Sequence, residues 1–423
     1  MKRETDVIVV GAGAAGLAVA TMLGRSGLRV EVLERSGSPG GRAAAKQSGG
    51  FTFNRGAHAL YNGGAAARVL AELDVDCPGG DPLAEPQLAL QGDQRHRLPT
   101  GVLGLLRTSV LGWKAKWEAM KLFARLPRLD TRALDSIDAQ QWIETSSTHP
   151  ELRALLAATV RISTYCGELT RLRASAAVQQ IQLGFKGVRY VHGGWQPIVD
   201  GLHQRAHEAG AHVSMRAAVR GLSEARGRWA VETDNDIITG DHVVVASSPS
   251  VLEALLGRRP AGLPTRADAL NAVCLDLALE RLPNPDVPFA LGLDRPLYFS
   301  AHCRVAKLAP SGAALIHLIR YHDGPAAPAD AREELEELMD DLQPGWRDLV
   351  VERQFLPSIT VAHDVPAVGR KRFDVSVPDT PGIYAVGDWV GAHGMLADAA
   401  LASATEASRR IVAATMQARG QAA

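Results

Sequence analysis

The stretch Asp6-Val7-Ile8-Val9-Val10-Gly11-Ala12-Gly13-Ala14-Ala15-Gly16 decides the fold. A continuous run of β-branched apolar residues, Val7 to Val10, reads as a parallel strand buried on both faces. The glycines break it, and Leu17 to Arg25 then has helix-forming composition. Gly27 ends that helix, and Leu28-Arg29-Val30-Glu31-Val32-Leu33 forms the next strand. Within this strand–turn–helix–strand unit, Gly11 permits the tight turn. Gly13 lets the backbone approach a pyrophosphate, and Gly16 allows close helix–strand packing. Ala14 and Ala15 complete the loop at the helix N-terminus, where unpaired N–H groups and the helix dipole favour a phosphate. Glu34, followed by Arg35, stands where an acid accepts hydrogen bonds from a ribose. A carboxylate there repels the 2′-phosphate of NADP, which leaves NAD and FAD as the dinucleotides.

Working outward, Pro39-Gly40-Gly41-Arg42 follows directly, and Asn54-Arg55-Gly56-Ala57-His58 comes shortly after. Paired glycines followed by arginine let the main chain pass close to a ligand while a cation reaches its phosphates. At the far end, Gly387-Asp388 follows the apolar run Ile383-Tyr384-Ala385-Val386, and Met395-Leu396 opens an alanine-rich helix. Asp388 is placed to bind ribityl or phosphate-linked hydroxyls. The helix start would direct positive charge at the pyrimidine side of an isoalloxazine.

Between these ends the pattern changes repeatedly. Residues 50 to 97 are short segments rich in Gly and Pro. Residues 98 to 185 read as mainly helical, with Val102, Leu106, Val110, Trp113, Trp117 and Met120 recurring at three- and four-residue steps. The α/β alternation returns near Val188 and runs through a buried strand at Val243 to Ala246; strands predominate from 266 to 362, with one acidic helix near 329 to 342. The expected architecture is α/β: a Rossmann-like FAD-binding domain assembled from discontinuous segments (1–78, 188–262 and 365–423). A helical insertion (79–187) and a mixed α+β substrate domain (263–364) complete it.

A chain of 423 residues suggests two or three folded units. Lys plus Arg and Asp plus Glu are equal at 46 each, and this neutrality argues against nucleic acid as a partner. Cys77, Cys166, Cys274 and Cys303 form no CxxC pair, so no metal site or disulfide framework is expected. The uncharged run from Val7 to Gly24 mimics a signal peptide, but its glycines stand where the fingerprint needs them. A cytoplasmic protein is therefore expected. The segment 98–132 carries seven basic residues against Glu118 and Asp130 and has two readings. It is either a cap whose apolar stripe packs on the substrate domain, or a basic amphipathic surface that makes peripheral contact with a membrane.

Taken together, Val7 to Glu34, Gly40-Gly41-Arg42, Gly56-Ala57-His58, the region from Gly193-Gly194 to Val219, Val243 to Ala246 and Pro381 to Leu401 resemble one superfamily. It is the FAD-dependent amine oxidase, protoporphyrinogen oxidase and phytoene desaturase superfamily. The resemblance implies that Val219 contacts the adenine through its backbone, and that Gly41, Arg42, Ala57 and His58 lie along the flavin. It implies that Gly387, Asp388, Met395 and Leu396 complete the cofactor site. No cysteine stands near the C-terminal motif, so FAD is expected to be non-covalent. No aromatic pair flanking an amine is identifiable there, which favours desaturase-like members. The implied function is oxidation or desaturation of a hydrophobic isoprenoid or polycyclic molecule by hydride transfer to flavin N5, with O₂ or a quinone as acceptor. An amine or amino-acid oxidase, a redox-neutral isomerase and a non-catalytic binding protein like Rab GDP-dissociation inhibitor are the alternatives. Arg161 and Tyr165, spaced i and i+4, are the preferred substrate-side residues. Lys186, His302, His317, Tyr321 and His363 are further candidates to face the flavin.

Overall fold

The computed structural model describes residues 2–56, 58–225, 227–322 and 326–422. Its nucleotide-binding half is built on a five-stranded parallel sheet. The strand order is His212–Ser214, Val30–Leu33, Val7–Val10, His242–Val245 and Ile383–Ala385. Val7 pairs with Val30 on one side and His242 on the other, and Val243 pairs with Ile383. Every residue of Val7–Val10 and Val30–Leu33 is buried, because helices cover both faces of a parallel sheet. The helix Ala14–Arg25 packs between Gln196–Glu208 and the long helix Leu396–Ala422. All three expected segments of the Rossmann-like domain thus supply strands to one sheet.

The second half rests on a seven-stranded mixed sheet. Its order is Val350–Ala362, Leu270–Leu279, Ala314–His322, Leu297–Ser300, Phe289–Gly292, Leu88–Gln91 and Gln94–Arg97. Leu270–Leu279 is buried at all ten positions because both of its faces are covered. Val273, Leu275, Leu277 and Leu279 pack towards the acidic helix Ala331–Leu342. Leu270, Ala272 and Cys274 join a core shared with the helices Ala139–Ser146, Pro150–Thr164 and Ala174–Gly184.

Two expectations are corrected here. The insertion 79–187 is not purely helical, since the Leu88–Gln91 and Gln94–Arg97 hairpin, turning at Gly92 (φ +54°), extends the substrate sheet. The apolar stripe of 98–132 does not lie on one helix. The chain forms Gly101–Arg107 and Trp113–Arg125, broken where Thr108 caps back onto the Arg97 carbonyl. Leu105, Val110, Leu111, Ala115, Ala119 and Leu126 reach the core and Met120 packs against it, while Val102, Leu106, Trp113 and Trp117 face outward.

Candidate cofactor-binding and active site

The glycines of the first loop do three different jobs. Gly11 turns the chain at φ +109°, and a Cβ there would stand 2.6 Å from the Ala246 carbonyl oxygen. At Gly16 a Cβ would come within 2.0 Å of the Gly11 carbonyl oxygen, so the helix approaches the strand only with glycine. At Gly13 a Cβ would meet nothing nearer than the Gly40 oxygen at 3.9 Å. The protein's own packing therefore leaves room at Gly13. This residue caps Ala14–Arg25 with no side-chain hydrogen bond and no acid in the first turn. Open backbone at an uncapped helix N-terminus is the arrangement that takes a pyrophosphate.

The second glycine pair closes over the first. The Gly40 N–H donates to the Ala12 carbonyl at 2.8 Å, and Gly13 and Gly40 form a parallel bridge. Gly41 (φ +56°) faces Gly13 so closely that its Cβ would lie 3.8 Å from the Gly13 Cα. Glu34, buried, accepts the Ala12 N–H on Oε2 and the Ser36 N–H on Oε1, each at 2.8 Å. It thus ties the loop to the second strand, and its remaining lone pairs are left for ribose hydroxyls. Arg35 beside it is exposed. The Ala217 N–H donates to the Glu34 carbonyl at 2.8 Å, and Val219 begins the next strand at a bulge.

The C-terminal motif meets the glycine–arginine motif in space. Arg42 donates to both oxygens of the buried Asp388, at 2.7 and 3.0 Å, and to the Val361 carbonyl at 2.9 Å. The His363 N–H donates to Asp388 at 2.8 Å, with its ring Nδ1 at 3.0 Å from the other oxygen. Burial pushes the Asp388 pKa up, but the Arg42 and His363 partners outweigh it and hold the carboxyl well below the usual range. Gly387 is fixed by the Ser403 hydroxyl, and Arg372 spans the loop by donating to the carbonyls of Asp388 and Gly394. Met395 is buried, and Leu396 sits at φ +55°, an unusual backbone for a γ-branched residue. His58 packs its ring on Trp195 at 5.1 Å and holds the Gly56 carbonyl through Nδ1 at 2.7 Å; burial lowers its pKa. Ala57 lies outside the described residues.

On the substrate side, five of the six tyrosines converge: Tyr61, Tyr165, Tyr190, Tyr298 and Tyr321. Burial raises the pKa of each, and neighbouring tyrosines add to the rise at Tyr61, Tyr165, Tyr298 and Tyr321. Tyr165 and Tyr321 meet edge to face at 5.7 Å. Three of the hydroxyls are used internally: Tyr61 donates to the Ser163 carbonyl at 3.0 Å, and Tyr190 pairs with Tyr298 at 3.1 Å. Tyr298 in turn reaches His302 Nε2 at 2.9 Å, and the His302 ring stacks on Tyr190 at 3.7 Å. Gly56 brings the His58 segment against this face, since a Cβ there would stand 2.6 Å from Ile359 and 3.4 Å from the Cys274 sulfur.

The i, i+4 expectation for Arg161 and Tyr165 fails in its geometry. The helix ends at Thr164, and Tyr165 turns off it at φ 61°, so the two side chains do not share a helical face. Lys186 packs on Gly63, while His363 is the candidate that does reach the cofactor motif. His317 pairs with Asp276 at 2.7 Å, both fully buried, and Gln354 donates to Asp276 at 2.7 Å and to the Asn54 carbonyl at 2.8 Å. Sequence reasoning missed Asp276, Gln354, Trp195 and Arg372. The signal for Asp276 was present, as the one charge in Leu270–Leu279.

The glycine cradle, the ribose acid and the Arg42–Asp388 closure fit FAD. The model of the flavin containing amine oxidoreductase family matches residues 14–412. The chain belongs to this family. FAD is the cofactor of this oxidoreductase family. The chain is similar to protoporphyrinogen oxidase of Bos taurus, with 28% identity over 63% of this chain and 64% of that protein. It is similar also to phytoene dehydrogenase of Streptomyces griseus, with 28% identity over 65% of this chain and 60% of that protein. It therefore spans less than two thirds of the length of these curated relatives. Among solved structures, an oxidoreductase from Methanosarcina mazei matches with a TM-score of 0.73 at 20% identity, covering 97% of this chain and 100% of that one. That likeness speaks to the fold.

Proposed function

We propose that the protein oxidises or desaturates a hydrophobic small molecule of isoprenoid or polycyclic type, using non-covalently held FAD. Bound FAD supplies the acceptor, N5, for a hydride from the substrate, and O₂ or a quinone takes the electrons afterwards. The observation that carries this reading is the tyrosine-lined face beside Gly56 and His58. Its hydroxyls on Tyr61, Tyr190 and Tyr298 are already satisfied within the protein, so ring faces are what it offers a ligand. A flat or extended apolar substrate is bound there by contact area, with water excluded from the reacting carbon. In this reading Tyr165, at the end of the helix Pro150–Thr164, orients the substrate through its ring.

The test is anaerobic mixing of the FAD-loaded protein with three panels: polyenes and their saturated precursors, reduced tetrapyrroles, and primary and secondary amines. Bleaching of the visible flavin bands by the first or second panel supports the reading, and bleaching by amines alone replaces it with amine oxidation. Multiple-turnover conversion under these conditions, with no net reduction of the flavin, would instead establish a redox-neutral isomerase. Protein that remains colourless after supply of FAD leaves only a binding role. In the active system, Tyr165→Phe is expected to keep kcat/KM within about threefold, whereas Tyr165→Ala loses on the order of tenfold or more through lost ring contact. Equal losses in the two variants would move the role from the ring to the hydroxyl.

A further inference from the structure

Five exposed large apolar side chains come from two consecutive helices of the insertion. Val102, Leu103 and Leu106 on Gly101–Arg107, and Trp113 and Trp117 on Trp113–Arg125, are between 44% and 75% exposed. Isolated exposed hydrophobes are ordinary, but two tryptophans and three aliphatic residues on consecutive helices form a patch that marks an interaction site. The helices are not left outward by weak packing elsewhere. Leu105, Val110, Leu111, Ala115 and Ala119 anchor their inner sides in the core, so the outer side is held in place.

Charge selects the occupant. Arg107, Lys114, Lys121, Arg125 and Arg128 are exposed around the patch. Of the two acids in the segment, Glu118 faces His149 at 3.5 Å and Asp130 is held by Arg132 at 2.7 Å. Lys121 lies over the Trp117 ring at 5.1 Å, which puts a cation beside an aromatic side chain at the same level. This positive rim belongs to a chain of zero formal net charge, so it is a local concentration and not a general basicity. Among the described residues no helix is long and apolar enough to cross a membrane.

We infer that this surface docks the protein on an anionic lipid bilayer, with Trp113, Trp117 and the Gly101–Arg107 side chains entering the headgroup boundary. Tryptophan suits that boundary because its ring is apolar and its N–H is wet, and Lys and Arg pair with anionic headgroups. The helix Trp113–Arg125 packs on Pro150–Thr164, whose C-terminal residue is followed by Tyr165. Docking thus brings the membrane within one helical layer of the tyrosine-lined face, though it does not depend on which substrate is oxidised there.

The experiment is co-sedimentation of the full-length FAD-loaded protein with phosphatidylcholine vesicles, with and without phosphatidylglycerol. Binding to the anionic vesicles, weakened by salt and accompanied by a blue shift of tryptophan fluorescence, is the expected result. The Trp113→Ser/Trp117→Ser variant is expected to lose roughly tenfold or more in vesicle partitioning while retaining wild-type flavin content, which reports that the fold is intact. A Lys114→Glu/Lys121→Glu variant should lose the preference for anionic lipid. Equal binding to neutral and anionic vesicles, or none to either at low salt, overturns the inference. So does self-association by light scattering that the tryptophan variant abolishes in a protein that does not bind vesicles, which would assign the patch to a second copy of the chain.

Discussion

At the scale of single residues, Gly13 and Gly16 look alike in sequence and differ in what they answer to. Gly16 is demanded by the protein itself, because a Cβ would collide with the Gly11 carbonyl. At Gly13 a Cβ would meet only the Gly40 carbonyl oxygen, at an ordinary 3.9 Å, so the position answers to the ligand. Gly13→Val is therefore expected to leave the flavin-free protein folded while abolishing FAD uptake, and Gly16→Ala to lower the melting temperature even without FAD. Thermal scans of both apoproteins, followed by FAD titration, separate the two; a stoichiometrically yellow Gly13→Val protein would refute the assignment. Glu34→Ala should weaken FAD retention by roughly 1.5–3 kcal/mol, about ten- to a hundredfold in Kd, because it removes a charged acceptor from buried backbone donors and from ribose. Flavin content unchanged after gel filtration would count against that role. The positions of these residues were legible in the sequence because glycine and acid spacing is a local property of one βαβ unit. The Asp276–Gln354–Asn54 link was not, since its members come from three distant segments and meet only through sheet pairing.

At the scale of elements, helix ends and helix faces separate what a pattern can say from what packing decides. Reading Arg161 and Tyr165 as one face assumed that the helix continued. It stops at Thr164, and the left-handed conformation at Tyr165 has no warning glycine. The stripe from Val102 to Met120 likewise assumed one continuous helix, but the Thr108 and Gly112 breaks reset the phase between two short ones. Small residues, Ala115 and Ala119, take the core side, so Trp113 and Trp117 do not pack inward as the cap reading has it. Another element-level dependence crosses the molecule. Asp398, in the first turn of Leu396–Ala422, accepts the Ala66 N–H at 2.7 Å and so caps the start of Ala65–Glu72. A Cβ at Gly64 would stand 2.2 Å from the same carboxylate. Asp398→Ala is expected to cost about 1 kcal/mol, the usual worth of such a cap, read as a fall in melting temperature that Asp398→Asn largely recovers.

At the scale of the whole molecule, the buried histidines set the response to acid. Burial lowers the pKa of His58, His242 and His302 below the ordinary value of 6.5. The unfolded chain therefore binds more protons than the folded one once the pH drops beneath that value. The stabilisation is present above pH 6.5 and is lost as the pH falls from there towards each folded-state pKa; His302, held well below 6.5, carries the loss over the widest range. The melting temperature should decline from pH 7 to pH 5, and His302→Gln, which retains an acceptor for Tyr298, should flatten that slope. An unchanged slope in the variant would remove His302 from the account. The division into a nucleotide half and a substrate half was also readable, because buried parallel strands keep their β-branched runs wherever they lie in the chain. The Leu88–Arg97 hairpin escaped, as its strands are only four residues long, Gln94–Arg97 is polar throughout, and Leu88–Gln91 is recruited by the neighbouring Phe289–Gly292 strand.

The contact between Arg42 and Asp388 joins residues 346 positions apart, and the strand Ile383–Ala385 is the edge of the sheet that carries the first loop. A ribosome making this protein passes the glycine loop several hundred residues before it adds the closing carboxylate. Pigmentation is then a late event in biosynthesis. Chains abandoned before residue 383 lack that edge strand, leave His242–Val245 unpaired on one side, and are expected to hold no FAD, which the absorbance of a truncated protein would check.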